Sequence, residues 1–250
     1  MKKTAIATAL ALSAGLSGAA NADFLGFTVG ANNWQQEFSG TVRSGAIGDT
    51  VDIENDLGYS DDEGNNNFYV AFEHPVPLIP NVMLARTELE VSAENTLTKS
   101  FDFEGVSFSV SDDIRSTADL THTDLTLYYE ILDNWVSLDI GFTLRSFEEG
   151  FTLTSSTESA ELSIDGTLPM FYVGAKFELP FSGLYVIANG NWISYDDDTI
   201  MDYKAALGYE SSIGLGVEIG MRSFELEYED DEEYADLTID GMYAGVFYHF

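Results

Sequence analysis

A chain of 250 residues with 43 acidic and 10 basic side chains carries a net charge of −33, which excludes nucleic acid as a partner because phosphate binding needs a basic surface. It has no cysteine and three histidines, which excludes a disulfide framework and thiol catalysis and argues against a His/Cys zinc site. A hydrophobic fraction of 45% and a mean hydropathy of −0.03 look soluble, yet a membrane barrel alternates lipid-facing with lumen-facing residues and hides its apolar half from a running average.

At the N-terminus, Lys2 and Lys3 precede an apolar and small-residue stretch from Ala5 to Gly18, followed by Ala20-Asn21-Ala22. This is the pattern of a cleaved secretory signal peptide over residues 1–22, leaving 23–250 as the exported domain. No later segment approaches the roughly 20 apolar residues that a transmembrane helix needs.

From there the chain reads as strands at about 23–34, 67–74, 81–94, 117–131, 135–147, 167–178, 184–195, 202–211, 214–228 and 236–250. Each has about the length that crosses a bilayer at a tilt. Short turns rich in Pro, Gly, Asn or Asp alternate with longer acidic loops at 35–66, 95–116, 148–166, 196–201 and 229–235. Short turns on one side and long loops on the other predict an all-β, antiparallel, up-and-down transmembrane barrel of ten strands, with eight as the alternative, and both termini in the periplasm. The acidic runs, among them Asp61-Asp62-Glu63, Asp196-Asp197-Asp198 and Glu229 to Glu233, fall in the outward loops. Solvation is their simplest reading, and since none has the spacing of a calcium loop, no metal ligand and no cofactor is assigned.

Alternation within strands supports the barrel. Val136, Leu138, Ile140, Phe142 and Leu144 oppose Ser137, Asp139, Gly141, Thr143 and Arg145; Phe171, Val173, Ala175 and Phe177 oppose Tyr172, Gly174, Lys176 and Glu178. Met83, Ala85, Thr87, Leu89 and Val91 form the apolar face of their strand against Arg86, Glu88 and Glu90. Leu215, Val217, Ile219 and Met221 oppose Glu218 and Arg222, after which Phe224, Leu226 and Tyr228 take the opposite phase, which predicts a bulge near Arg222-Ser223.

The last strand alternates to the end, with Gly245, Tyr248 and Phe250 at a glycine, aromatic and terminal Phe spacing. This resembles the C-terminal assembly signal of Gram-negative outer-membrane β-barrels. Together with the turn Glu73-His74-Pro75-Val76-Pro77-Leu78-Ile79-Pro80-Asn81 and the signal peptide, the chain resembles an uncharacterised family of gammaproteobacterial outer-membrane β-barrel proteins. The resemblance implies an outer-membrane location, insertion by the outer-membrane assembly machinery, and contact with membrane lipid and lipopolysaccharide. It implies no activity. A monomer is expected.

The lumen faces collect charges of both signs: Arg86 beside Glu88 and Glu90, Arg145 beside Asp139, Lys176 beside Glu178, Lys204 beside Glu210, and Arg222 beside Glu218. Charges withdrawn from water need partners, so they read as ion pairs filling a narrow barrel, with a solute path as the alternative. A structural barrel or narrow channel without enzymatic activity is therefore the expected function. His122-Thr123-Asp124 is the one catalytic candidate. Omptin proteases are ten-stranded barrels with an Asp-x-His pair and a second acidic pair at the outer rim. Here the order is reversed, and Glu88 and Glu90 would have to stand for the second pair. A periplasmic barrel binding an apolar ligand is the third reading.

Overall fold

The computed structural model describes residues 25–250 except 45–49, 60–62, 77, 133, 149, 165, 197 and 230–232. The signal peptide at 1–22, Pro77, and the acidic residues Asp61, Asp62 and Asp230 to Glu232 lie outside the described residues. The strands in chain order are β1 (Gly26–Ser44), β2 (Val51–Asp52), β3 (Glu63–Glu73), β4 (Asn81–Thr87), β5 (Glu90–Thr96), β6 (Phe101–Phe103), β7 (Val106–Phe108), β8 (Asp113–Asp119), β9 (His122–Leu132), β10 (Val136–Phe147), β11 (Gly150–Thr154), β12 (Ser159–Ser163), β13 (Gly166–Glu178), β14 (Leu184–Tyr195), β15 (Asp198–Glu210), β16 (Leu215–Glu229) and β17 (Glu233–His249).

Ten of them, in the order β17-β16-β15-β14-β13-β10-β9-β4-β3-β1, form an antiparallel sheet that closes on itself through β1 and β17. Closure removes every sheet edge from the wall. The seam holds one register from Thr28 opposite His249 to Ser44 opposite Glu233. Gly241, at φ +152°, is needed there, because a Cβ would collide with the Gln35 carbonyl oxygen.

Period-two alternation decides what each face meets. Phe68, Val70, Leu84, Leu127, Ile140, Phe142, Phe171, Val173, Leu207, Val217, Ile219 and Val246 all point outward and stay exposed, making an apolar belt around the wall. Inward positions in the lower half are polar or small. They surround a cavity of about 490 Å³ lined by Glu73, Tyr128, Asp139, Lys176, Glu210 and Glu218 among others.

The long connections on one side carry structure of their own. Strands β12-β11-β8-β5 form a four-stranded sheet. Its order repeats that of β13-β10-β9-β4 in the barrel, so it continues that half of the wall beyond the rim, each strand broken from its barrel neighbour by two residues. On the other half, β1, β16 and β17 run on as strands of 19, 15 and 17 residues. Between the two extensions lies an apolar core built from Leu89, Val91, Phe101, Phe108, Ile114, Leu120 and Leu153 together with Phe38, Phe224, Leu237 and Ile239. Burial there pushes the Tyr59 phenol up to about 12.

This outer core corrects two expectations. No bulge interrupts β16: its register with both neighbours is continuous through Arg222 and Ser223. Phe224 and Leu226 stay in phase with Arg222 and are apolar because the interior at that height is a protein core. For the same reason Met83, Ala85 and Thr87 line the lumen and Leu89 and Val91 continue their face into the core, which puts Arg86, Glu88 and Glu90 on the outside of the wall.

Candidate functional site

The interior is divided by a layer of charge at the level where β10, β9, β15 and β16 pass from lower lumen to outer core. Arg145 and Asp124 are direct cross-strand partners. Their bond is two-pronged, Nε to Oδ1 at 2.8 Å and Nη2 to Oδ2 at 2.7 Å. Arg145 Nη2 also reaches Asp202 Oδ2 at 2.6 Å. Asp202 in turn accepts Arg222 through Nε at 2.9 Å and Nη2 at 2.7 Å. Two guanidinium groups and two carboxylates thus neutralise one another with the paired geometry that favours arginine over lysine at such a site. Arg222 stacks 4.7 Å over Trp34 and Arg145 lies 5.9 Å from the Phe224 ring, so the planar faces of both cations are covered as well.

Around this network, Trp34, Gln36, His122, Arg145, Met170, Asp202, Phe224 and Ile239 are each at most 4% exposed. They come from seven strands of the wall, which makes the layer a floor between the polar lumen and the outer core. His122 belongs to it. Its Nδ1 meets the Leu120 carbonyl oxygen at 2.8 Å, its ring packs against Phe147 and Phe224 at 5.4 and 6.3 Å, and its Nε2 is buried with no hydrogen-bond partner among the described residues.

The expected pairings are redistributed. Arg145 bonds Asp124 and Asp202, and Asp139 lies lower, lining the polar cavity. Arg222 bonds Asp202, while Glu218 accepts the Tyr185 hydroxyl at 2.7 Å. Lys204 sits 5.7 and 5.6 Å from the Tyr69 and Tyr243 rings, and Glu210 meets His249 at 3.2 Å. Lys176 and Glu178 pair at 2.6 Å near the lower mouth. Arg86 is not in the lumen: it pairs with Glu148 at 2.7 Å on the outer wall, with Glu88 and Glu90 in the same shallow groove. Parity alone could not distinguish the faces of β4, because its inward face changes from small and polar below the layer to aliphatic above it.

As chemistry, the layer is an ion-pair plug. His122, Asp124 and Asp202 bring potential ligand atoms within 4.8 Å of one another, but a cation there would compete with two guanidiniums for both carboxylates. The arrangement also lacks what a rim hydrolase needs. His122 and Asp124 are buried, both Asp124 oxygens are held by Arg145, and Glu88 and Glu90 stand on the other side of the wall.

No family model matches the chain, and no curated protein matches it. Solved structures do. The outer membrane protease OmpT from Escherichia coli aligns over 90% of this chain and 97% of its own, with a TM-score of 0.54 and 10% sequence identity. That likeness is one of fold. A Pseudomonas aeruginosa FadL homologue aligns over 90% of both chains at 8% identity, but with a TM-score of 0.38. The ten-stranded closed barrel of this chain is the outer-membrane barrel fold.

Proposed function

We propose that the chain is an integral outer-membrane β-barrel protein whose lumen is closed, a structural barrel carrying a folded outer module rather than a conducting channel. The observation that carries this reading is the floor of Arg145, Asp124, Asp202 and Arg222 with its ring of buried side chains. A solute path would have to breach a network in which two guanidiniums and two carboxylates neutralise one another, and removing one member of such a network is strongly unfavourable.

The outer-membrane location is supported by the exposed apolar belt, which in water would be a patch far larger than soluble proteins leave open. It is supported too by the C-terminal Tyr248 and Phe250, which point outward beside Phe27 and fit recognition by the outer-membrane assembly machinery. Membrane lipid around the belt and lipopolysaccharide around the outer module are the partners this placement supplies. Fractionation tests the location: the protein should be extracted only with detergent and migrate faster unheated than heated on gels. Recovery as a monodisperse species in buffer would favour a periplasmic ligand-binding barrel instead. Liposomes carrying the protein should not swell in small sugars, and swelling would reinstate the channel.

A further inference from the structure

Above the ionic floor, the outer module encloses a second cavity of about 730 Å³, in the size range of small-molecule pockets. Its walls come from several strands, among them Val51, Phe101, Phe151, Leu162, Ile193 and Leu226. Apolar walls alone would suit any hydrocarbon. Among the described residues, its charged lining does not fit that description: four carboxylates, Asp102, Glu104, Asp198 and Glu227, and a single cation.

Arg43, near the end of β1, lines this cavity. Its guanidinium lies 5.7 Å from the ring of its cross-strand partner Tyr234, and it makes no ion pair among the described residues. Its Nε is buried and has no hydrogen-bond partner among the described residues. A buried donor on a permanent cation is costly to leave without an acceptor. The carboxylates along the same cavity do not answer it. Asp102 accepts the Ser107 hydroxyl, Asp198 accepts the Glu229 amide, and Asp102, Glu104, Asp198 and Glu227 are all partly or fully exposed to water. Among the described residues no acceptor answers Arg43, a ligand entering the cavity would supply one, and the walls require the rest of that ligand to be apolar.

We infer that the outer cavity binds a small amphiphile, an extended apolar body bearing one carboxylate, with the carboxylate on Arg43 and the body among the apolar walls. The net negative charge of the chain makes this site selective: an anion is held where a cation without an ion pair among the described residues and the apolar walls coincide. Binding here is independent of closure of the lumen below, which conductance reads separately.

The test uses the full-length mature protein in lipid nanodiscs with radiolabelled decanoate, 1-decanol and decyltrimethylammonium as three probes, and empty nanodiscs subtracted. Decanoate should bind saturably, one per chain, and about tenfold or more tighter than decanol, the scale of a hydrogen bond to a charged group. Arg43→Leu should bring decanoate down to the level of decanol and leave decanol unchanged, and Leu162→Trp should weaken both by filling the cavity. Heat-modifiable migration reports folding of each variant, and the comparison of probes on the wild type stands without them. No saturable binding above empty nanodiscs, equal binding of decanoate and decanol, tighter binding of decyltrimethylammonium, or a folded Arg43→Leu protein with undiminished decanoate binding would each overturn the assignment.

Discussion

Arg145 on β10 and Asp202 on β15 touch at 2.6 Å although β13 and β14 stand between their strands in the wall. In a closed barrel, contact between walls that are not neighbours spans the lumen, so this one bond marks the height at which the charged layer crosses the interior. Asp124 and Arg222 complete the charge balance, and the aromatic faces of Trp34 and Phe224 cover what the ions leave open.

Replacing Arg145 with Met should leave Asp124 without its cationic partner in a site closed to water, at about 3–5 kcal/mol. Arg86→Met removes an ion pair whose two side chains are each about half exposed and screened by solvent, and should leave stability close to that of the wild type. Thermal melts of the two variants in the same detergent make the comparison. Equal losses would mean that β4 presents Arg86 inward after all.

The direction of the chain across the membrane is checked by labelling. A tag inserted at Glu158, in the exposed turn between β11 and β12, should be reached by antibody on intact cells, whereas one at Ser212, in the short turn between β15 and β16, should need permeabilisation. Labelling at Ser212 without permeabilisation reverses the topology.

Phe250 donates its amide to the Phe27 carbonyl at 2.9 Å and packs 4.5 Å from Tyr248, ring centroid to ring centroid. Deleting it strips the end of β17 where the seam begins. A lower folded fraction in the outer membrane and more periplasmic degradation are expected, and unchanged yield with unchanged heat-modifiable migration would dissociate the terminal aromatic from assembly.

His122 is enclosed by Phe147 and Phe224, so His122→Ala should open a cavity and cost about 2–4 kcal/mol. On the plugged-barrel reading the purified wild type has no peptidase activity for that change to remove. A wild-type peptidase lost in a folded His122→Ala protein would restore the rim hydrolase.

All ten barrel strands were legible in the sequence, because lipid on one side and a narrow lumen on the other impose period two on each of them. The outer module was not. Its apolar residues come as short pairs, Val51 with Ile53, Phe101 with Phe103, Val106 with Phe108 and Phe151 with Leu153, inside stretches whose acidic content reads as solvated loop. Such pairs could have signalled short hairpins, since Phe101 and Phe103 lie opposite Phe108 and Val106, but the pairing that joins the hairpins into a sheet is remote in sequence, Ser116 opposite Leu153 for example. The charge network was legible in composition and misread in pairing. Arg145 and Asp139 share a strand face, but residues two or more apart along a strand are separated by its rise, and the close neighbours are those across the ladder, as Asp124 is.

Closure of the lumen is tested most directly by electrical recording from the purified protein in planar bilayers. With the floor of Arg145, Asp124, Asp202 and Arg222 intact, the wild type should insert and pass no steady current. Resolved, long-lived openings of the wild-type protein would contradict it.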